Sequence, residues 1–256
     1  MTPNPLLSRD GLVLPFYRRP PAGVNPPLDT PAYRAAALRA PRQPLVPLPQ
    51  GLTEITGPLL GAERVRPADA DLTTRYPGGE ALGQRIILTG RVLDSGGRPV
   101  PDTLVEIWQA NAAGRYNHQI DDHPAPLDPY FDGAGRCLTD SGGRYRFVTI
   151  KPGAYPWGNH HNAWRPAHIH FSLLGRAFTQ RLITQMYFPG DPLFGLDPIF
   201  NSVPDPKARE RMICRFDLAL TQPEWALGFE WDIVLRGPEA TVFERQEKRF
   251  EYKDSP

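Results

Sequence analysis

Residues 85–111 read RIILTGRVLDSGGRPVPDTLVEIWQAN. Two apolar runs rich in β-branched residues flank a cluster of Ser, Gly, Pro and Asp, the pattern of short strands joined by a turn. The same pattern recurs where GRCLTD (135–140) is followed by SGGRYRFVTI (141–150), which reads as a hairpin. In both DSGGR segments, beginning at Asp94 and Asp140, Asp and Ser can bond nearby backbone while Gly accepts positive φ, so turn chemistry explains them without a function. Further strands are expected at HIHFSLLG (168–175), RLITQMYF (181–188), MICRFDLAL (212–220) and FEWDIVLRG (229–237). About eight short strands with frequent turns and no alternating helices predict a mainly β protein, an antiparallel β-sandwich with few short helices. One such helix is expected over Pro206–Met212, where Asp205 precedes a proline and good helix formers.

N-terminal to this region the texture changes. Residues 1–80 form a Pro-rich arm with PFYRRPPAGVNPPLDTPAYRAAALRAPRQPLVPLPQ (15–50) at its centre, expected to pack in extended form on the core or on a partner. Only Ala32–Leu38 has room for a short helix between prolines. Residues 81–256 are then the sandwich that carries the site. The 31 prolines and 23 glycines make about a fifth of the 256 residues, against a usual combined share of about 12%, so long helices do not dominate. Lys and Arg number 29 against 28 Asp and Glu, a balance that gives no field to attract nucleic acid or an anionic membrane. No apolar run approaches the roughly 20 residues that span a bilayer, and the start lacks the pattern of a signal peptide, so the expected location is cytoplasmic. Cys137 and Cys214 form no CxxC pair and read as core thiols.

The sharpest local feature is RPAHIHF (165–171). On a strand the side chains alternate, so His168 and His170 share one face while Ile169 and Phe171 share the other. Two imidazoles about 6 to 7 Å apart along a strand can converge on one metal ion if the strand twists; ordinary polar strand residues give the same pattern. Tyr116 in GRY and Tyr155 in KPGAYPW sit near glycine or proline, where an aromatic ring can turn into a cleft or simply pack. His160 and His161 in GNHHN are adjacent and point apart, as a solvated loop pair would, and His118 and His123 lie in the polar loop NHQIDDH.

Taken together, WQANAAGRY, the 39-residue step from Tyr116 to Tyr155, the 13-residue step to His168, and RPAHIHF resemble the intradiol ring-cleavage dioxygenases. TPAYRAAALRAPRQPL, GRCLTDSGGRYRFVTIKPG, TQMYFPGDPL and WDIVLRG extend the likeness through most of the chain, toward the beta-subunit type of the protocatechuate-cleaving branch. The resemblance implies a mononuclear non-haem Fe(III) held by Tyr116, Tyr155, His168 and His170. It implies that a catechol displaces solvent and Tyr155, that released Tyr155 accepts a proton, and that dioxygen opens the ring between the hydroxylated carbons. For protocatechuate the product is 3-carboxy-cis,cis-muconate, and both oxygen atoms enter it. By the same resemblance Arg165 stabilises the electron-rich substrate, and Gln185 orients polar groups near the metal. Trp108, Trp157 and Ile199 line the pocket, and Tyr33 of the arm contacts the substrate carboxylate. Arg39 and Arg42 accompany Tyr33 in the arm motif without a catalytic role. A homologous alpha subunit is the implied partner in a hetero-oligomer, since this chain holds one such domain.

Two other readings remain open at this level. GRVLDSGGRPVPDTLVEIW also resembles non-catalytic transthyretin-like binding modules, which do not require the tyrosine pair and HxH together. Catechol or hydroxyquinol cleavage is the nearer alternative, although those enzymes carry a helical N-terminal region that this Pro-rich arm does not match. A hydrolase has no support, because GxSxG, HExxH and the P-loop pattern are all missing from the sequence.

Overall fold

The computed structural model describes residues 23–27, 29–32, 37, 40–43, 64–158, 161, 163–175 and 178–242. Most of the Pro-rich arm, including Tyr33, Arg39 and most of the helix expected over Ala32–Leu38, lies outside the described residues. Two sheets face each other across one apolar core. The first is built on β1 (Arg85–Leu93), with β4 (Arg144–Ile150) antiparallel along it, and β10 (Leu227–Glu230) and β11 (Ile233–Val234) parallel to it. The two-residue β9 (Arg215–Phe216) closes that sheet beside β10. The second sheet runs β3 (Ala134–Leu138), β2 (Leu104–Trp108), β7 (His168–Gly175), β8 (Phe178–Tyr187), all antiparallel. A separate ribbon pairs β5 (Tyr155–Trp157) with β6 (Ala163–Arg165).

Alternation decides what lies between the sheets. Ile86, Leu88 and Val92 of β1 meet Val105 and Ile107 of β2, Phe147 of β4, and Ile169, Phe171 and Leu173 of β7, all of them buried in one cluster. Each such side chain contributes about 1.5–3 kcal/mol on leaving water. The sandwich is therefore as the residue pattern predicts, but the first sheet is mixed rather than purely antiparallel. After β4 the chain adds β7 and β8 to the second sheet, beside β2 and β3, and then returns beside β1 in the same direction.

Four local expectations are corrected. β3 and β4 do not form a hairpin, because β3 pairs with β2 and β4 with β1 in the opposite sheet. The two DSGGR segments fold alike: the Asp Oδ1 accepts the amides of the second and fourth residues beyond it, Gly96 and Arg98 in one turn and Gly142 and Arg144 in the other. Gly97 and Gly143 take φ of 75° and 71°, which an L side chain rarely adopts. Each turn hands the chain from one sheet to the other, a choice made by where the flanking apolar faces bury. The run 212–220 yields only β9, since the Asp217 carboxylate takes the amides of Ala219 and Leu220 and curls the backbone away from a ladder. The run 229–237 breaks between β10 and β11 at Asp232, whose carboxylate replaces a backbone acceptor for the Arg91 amide at 2.8 Å. Two short helices follow the second sheet. In α1 (Pro198–Asn201) Asp197 caps the Ile199 amide, and in α2 (Pro206–Glu210) Asp205 caps Lys207, so the expected helix ends two residues early.

Residues 64–83 pack on the sandwich. A 3-10 turn at Pro67–Ala70 leads to Leu72, which is fully buried in the core. Beside it the buried Asp69 carboxylate accepts Arg136 Nε at 2.8 Å, Arg66 Nη2 at 3.1 Å and the Arg66 amide at 3.2 Å. These donors, the Arg136 bond foremost, hold its pKa down to about 2, below the ordinary carboxylate value of about 3.9. A depressed folded-state pKa contributes stability above the unfolded value and loses it as pH falls through the folded one. The melting temperature of the wild-type chain is therefore expected to fall more steeply between about pH 4 and pH 2 than that of Asp69→Asn; parallel slopes would contradict the role given to this carboxylate.

Candidate metal centre

The centre lies on the outer face of the second sheet, opposite the core. On β7 the inward Ile169, Phe171 and Leu173 are fully buried in the core cluster, which turns His168 and His170 outward. Register sets their neighbours: His170 lies between Trp108 of β2 and Gln185 of β8, and His168 is level with Tyr187. The Trp108 ring stacks on His170 with centroids 4.8 Å apart and planes 5° from parallel.

Two loops carry the tyrosines over this face. After β2, Asn111 pins the turn by accepting the amides of Ala113 and Arg115 at 2.9 Å and donating to Pro126 O. Gly114, at φ 79°, lies so close to the Tyr155 loop that a Cβ there would meet Ala154 O at 2.3 Å. The Tyr116 amide then donates to Asp121 Oδ2 at 2.7 Å, fixing where its ring enters. Tyr155 begins β5 and stands opposite Arg165 on β6.

The four side chains converge. Tyr116 Oη lies 3.1 Å from His170 Nε2 and 3.4 Å from His168 Nε2, and Tyr155 Oη lies 3.3 Å from His168 Nε2. Atoms that each sit about 2 Å from a shared ion lie about 2.8–3.4 Å from one another at bond angles of about 90–109°, so these spacings suit a common metal. His168 Nδ1 is 2.7 Å from Pro166 O. A carbonyl only accepts, so that nitrogen carries the proton and Nε2 presents its lone pair inward.

Electrostatics point the same way. Burial, with the Arg165 cation second, pushes His170 down to about 3 and His168 well below the ordinary imidazole value, so both rings are neutral. Burial raises both phenols, Tyr116 well above its usual value, and Arg165 partly offsets the rise at Tyr155. Among the described residues no cluster of three His, Cys, Asp or Glu exists; the donors are two phenols and two neutral imidazoles. Phenolate is a hard anion, and only a strongly charged cation would ionise phenols held this high, so the set fits a trivalent first-row ion.

Arg165 and Gln185 stand beside this group. Arg165 Nη2 donates to Gln185 Oε1 and, at 3.0 Å, to Tyr187 Oη, while Nε is 3.0 Å from Asp197 Oδ1. An open cleft of about 990 Å³ leads to the centre, lined among others by Trp108, Tyr116, Tyr155, Trp157 and His170. Ile199 lines a separate cavity of about 20 Å³ with Thr184, Gln185 and Val203, and is not among the residues lining the cleft. His118 and His123 line the cleft wall, His161 is exposed, and His160 and Tyr33 lie outside the described residues. The thiols are inert: burial pushes Cys137 and Cys214 up to about 12. Sequence reasoning missed Tyr187 and Asp197. Tyr187 was legible as the same-face neighbour of Gln185, two residues on, whereas Asp197 before Pro198 reads as a helix cap, which it also is.

A family model described as Dioxygenase matches residues 55–237, and one described as Protocatechuate 3,4-dioxygenase beta subunit N terminal matches residues 17–51. The protocatechuate 3,4-dioxygenase beta chain of Burkholderia cepacia is 60% identical over 222 residues, which cover 86% of this chain and 94% of that one. The protocatechuate 3,4-dioxygenase alpha chain of Pseudomonas putida is 29% identical over 177 residues, 68% of this chain and 83% of its own. The solved structure of 3-chlorocatechol 1,2-dioxygenase from Rhodococcus opacus 1CP is 26% identical, with a TM-score of 0.49 over 65% of this chain and 64% of that one.

Removing one donor from a four-donor set is expected to weaken ferric binding by more than the 10- to 100-fold usual for outer-shell changes, so about 100-fold or more. Metal analysis of His168→Ala and Tyr116→Phe after dialysis against a chelator checks this, and full retention in either variant would remove that residue from the set.

Proposed function

This chain belongs to the intradiol ring-cleavage dioxygenase family, and from that premise we propose that it opens a catechol-type ring with dioxygen at one ferric ion held by Tyr116, Tyr155, His168 and His170. The observation that supports this reading is the approach of Tyr116 Oη to Nε2 of both histidines and of Tyr155 Oη to Nε2 of His168, at 3.1–3.4 Å. The substrate we assign is protocatechuate, cleaved to 3-carboxy-cis,cis-muconate, because the Burkholderia cepacia relative so named is 60% identical along nearly its whole length. Family membership sets aside a non-catalytic module. When bound, the ferric ion supplies a Lewis acid that lets a chelated catecholate react directly with dioxygen.

The chain's own groups divide the remaining work. Trp108 and Trp157 give the cleft flat apolar walls that hold a planar ring and keep water out. The two tyrosines are unequal. Tyr116 approaches both histidines and its backbone is tied to Asp121, whereas Tyr155 approaches His168 alone and sits on a three-residue ribbon. Tyr155 is thus the group that gives way to substrate. Burial raises its phenol, so the freed oxygen is a strong base and takes the catechol proton at Oη. Arg165 places a buried cation beside the electron-rich ring.

The same reading includes a homologous alpha chain as partner. It is supported by the N-terminal model match over residues 17–51 and by apolar groups at the cleft, Ile120 at 84% exposure and Trp164 at 39%. A cytoplasmic location fits two cysteines that stay unpaired; among the described residues no helix is long and apolar enough to cross a membrane.

Oxygen uptake by the iron-loaded chain, with and without an alpha chain, on protocatechuate, catechol and hydroxyquinol tests the assignment. Uptake fastest on protocatechuate with the partner present is expected; none on any of the three would overturn it. Tyr155→Phe should retain more iron than Tyr116→Phe while losing turnover by about 10²- to 10⁴-fold; unchanged turnover would remove the proton role.

A further inference from the structure

We infer that Asp197 is the positioning residue that aims the Arg165 guanidinium at the reacting ring, an assignment that rests on the ring-cleavage reading above. Arg165 ends β6, a three-residue strand paired only with β5 in this ribbon. A backbone anchored so lightly does not fix the far end of a long side chain. The guanidinium is nonetheless 97% buried and held on two sides. Gln185 Oε1 and Tyr187 Oη take Nη2, and the fully buried Asp197 carboxylate forms an ion pair 3.0 Å from Nε without the alignment of a hydrogen bond.

Asp197 coordinates the whole arrangement. Its Oδ2 accepts the Tyr187 hydroxyl at 3.1 Å, so it also orients the hydroxyl that receives Arg165 Nη2. Its Oδ1 accepts the Ile199 amide at 2.9 Å, which ties the carboxylate to the first turn of α1 and to fixed backbone. Tyr187 Oη in turn lies 3.1 Å from Gln185 Oε1, closing the ring of contacts. A buried guanidinium without its carboxylate would have to turn toward another acceptor or toward water. Asp197 does not line the cleft, and its shortest contact with a charged partner is the one to Arg165 at 3.0 Å, so the double substitution with Arg165 decides whether its effect passes through the guanidinium.

Asp197→Asn keeps an oxygen for the Ile199 amide and removes the charge. It is expected to bind iron as the wild type does and to lose about 100-fold in kcat, the scale of a misplacement of about 1 Å, with KM changed less than about threefold. In an Arg165→Gln background the same substitution should cost less than about threefold more, because the group it acts through is gone. A merely structural role predicts losses that multiply, and multiplication would overturn the inference, as would Asp197→Asn turning over within twofold of wild type. Should Asp197→Asn not fold, Tyr187→Phe carries the same test: a loss of about tenfold in kcat that vanishes in Arg165→Gln. The crystal structure of the soluble variant gives a readout that does not need turnover. A guanidinium departed from Gln185 supports the inference, and an unmoved one ends it. If the wild-type chain shows no oxygen uptake on any catechol, the ring-cleavage reading fails, while the crystallographic result still decides whether Asp197 aims Arg165.

Discussion

The centre depends on the side-chain alternation of β7 at a single register. Ile169, Phe171 and Leu173 are fully buried in the sandwich, and that burial is what turns His168 and His170 to the outer face. A slip of one residue would drive two imidazoles into the core and expose the apolar set, a loss of about 1.5–3 kcal/mol for each apolar side chain exposed. The same register brings Trp108 and Gln185 abreast of His170 and Tyr187 abreast of His168. Hydrophobic burial on one face therefore fixes polar geometry on the other.

Against that stabilisation stands the cost of holding polar groups away from water. Burial keeps both imidazoles neutral and both phenols protonated, leaving donors that become good ligands only when a strong cation displaces the phenolic protons. Arg165 is itself a buried cation and would repel that ion. Its pairing with Asp197 at 3.0 Å sets a carboxylate against that cation, so with an ion bound the proposed phenolates and this carboxylate would share the balance of charge. Gly114 and Asn111 matter for a different reason, since they let the Tyr116 loop approach the Tyr155 loop closely enough for the rings to meet edge to face at 5.5 Å.

Much of this was legible in the residues. The HxH pair follows from strand alternation alone, and the sandwich follows from short apolar runs and turn clusters. Tyr116 and Tyr155 were not legible as candidate ligands from local chemistry, because a tyrosine near glycine or proline packs far more often than it binds; a pattern spread along the chain singled them out. Local signals failed where the outcome depended on tertiary choice. DSGGR specifies a turn but not which sheet receives the next strand, so β3 and β4 read as a hairpin and in fact separate. The apolar alternation of 212–220 competes with the carboxylate of Asp217, and the Asx turn prevails. Asp197 hid behind its helix-cap role, since nothing in LDPIF shows that its second oxygen holds Tyr187.

Diffraction from iron-loaded crystals at the iron absorption edge tests the central claim most directly. The account predicts one anomalous peak per chain, about 2 Å from Tyr116 Oη, Tyr155 Oη, His168 Nε2 and His170 Nε2. A peak elsewhere, or a centre ligated by fewer than these four side chains in the substrate-free protein, would contradict it.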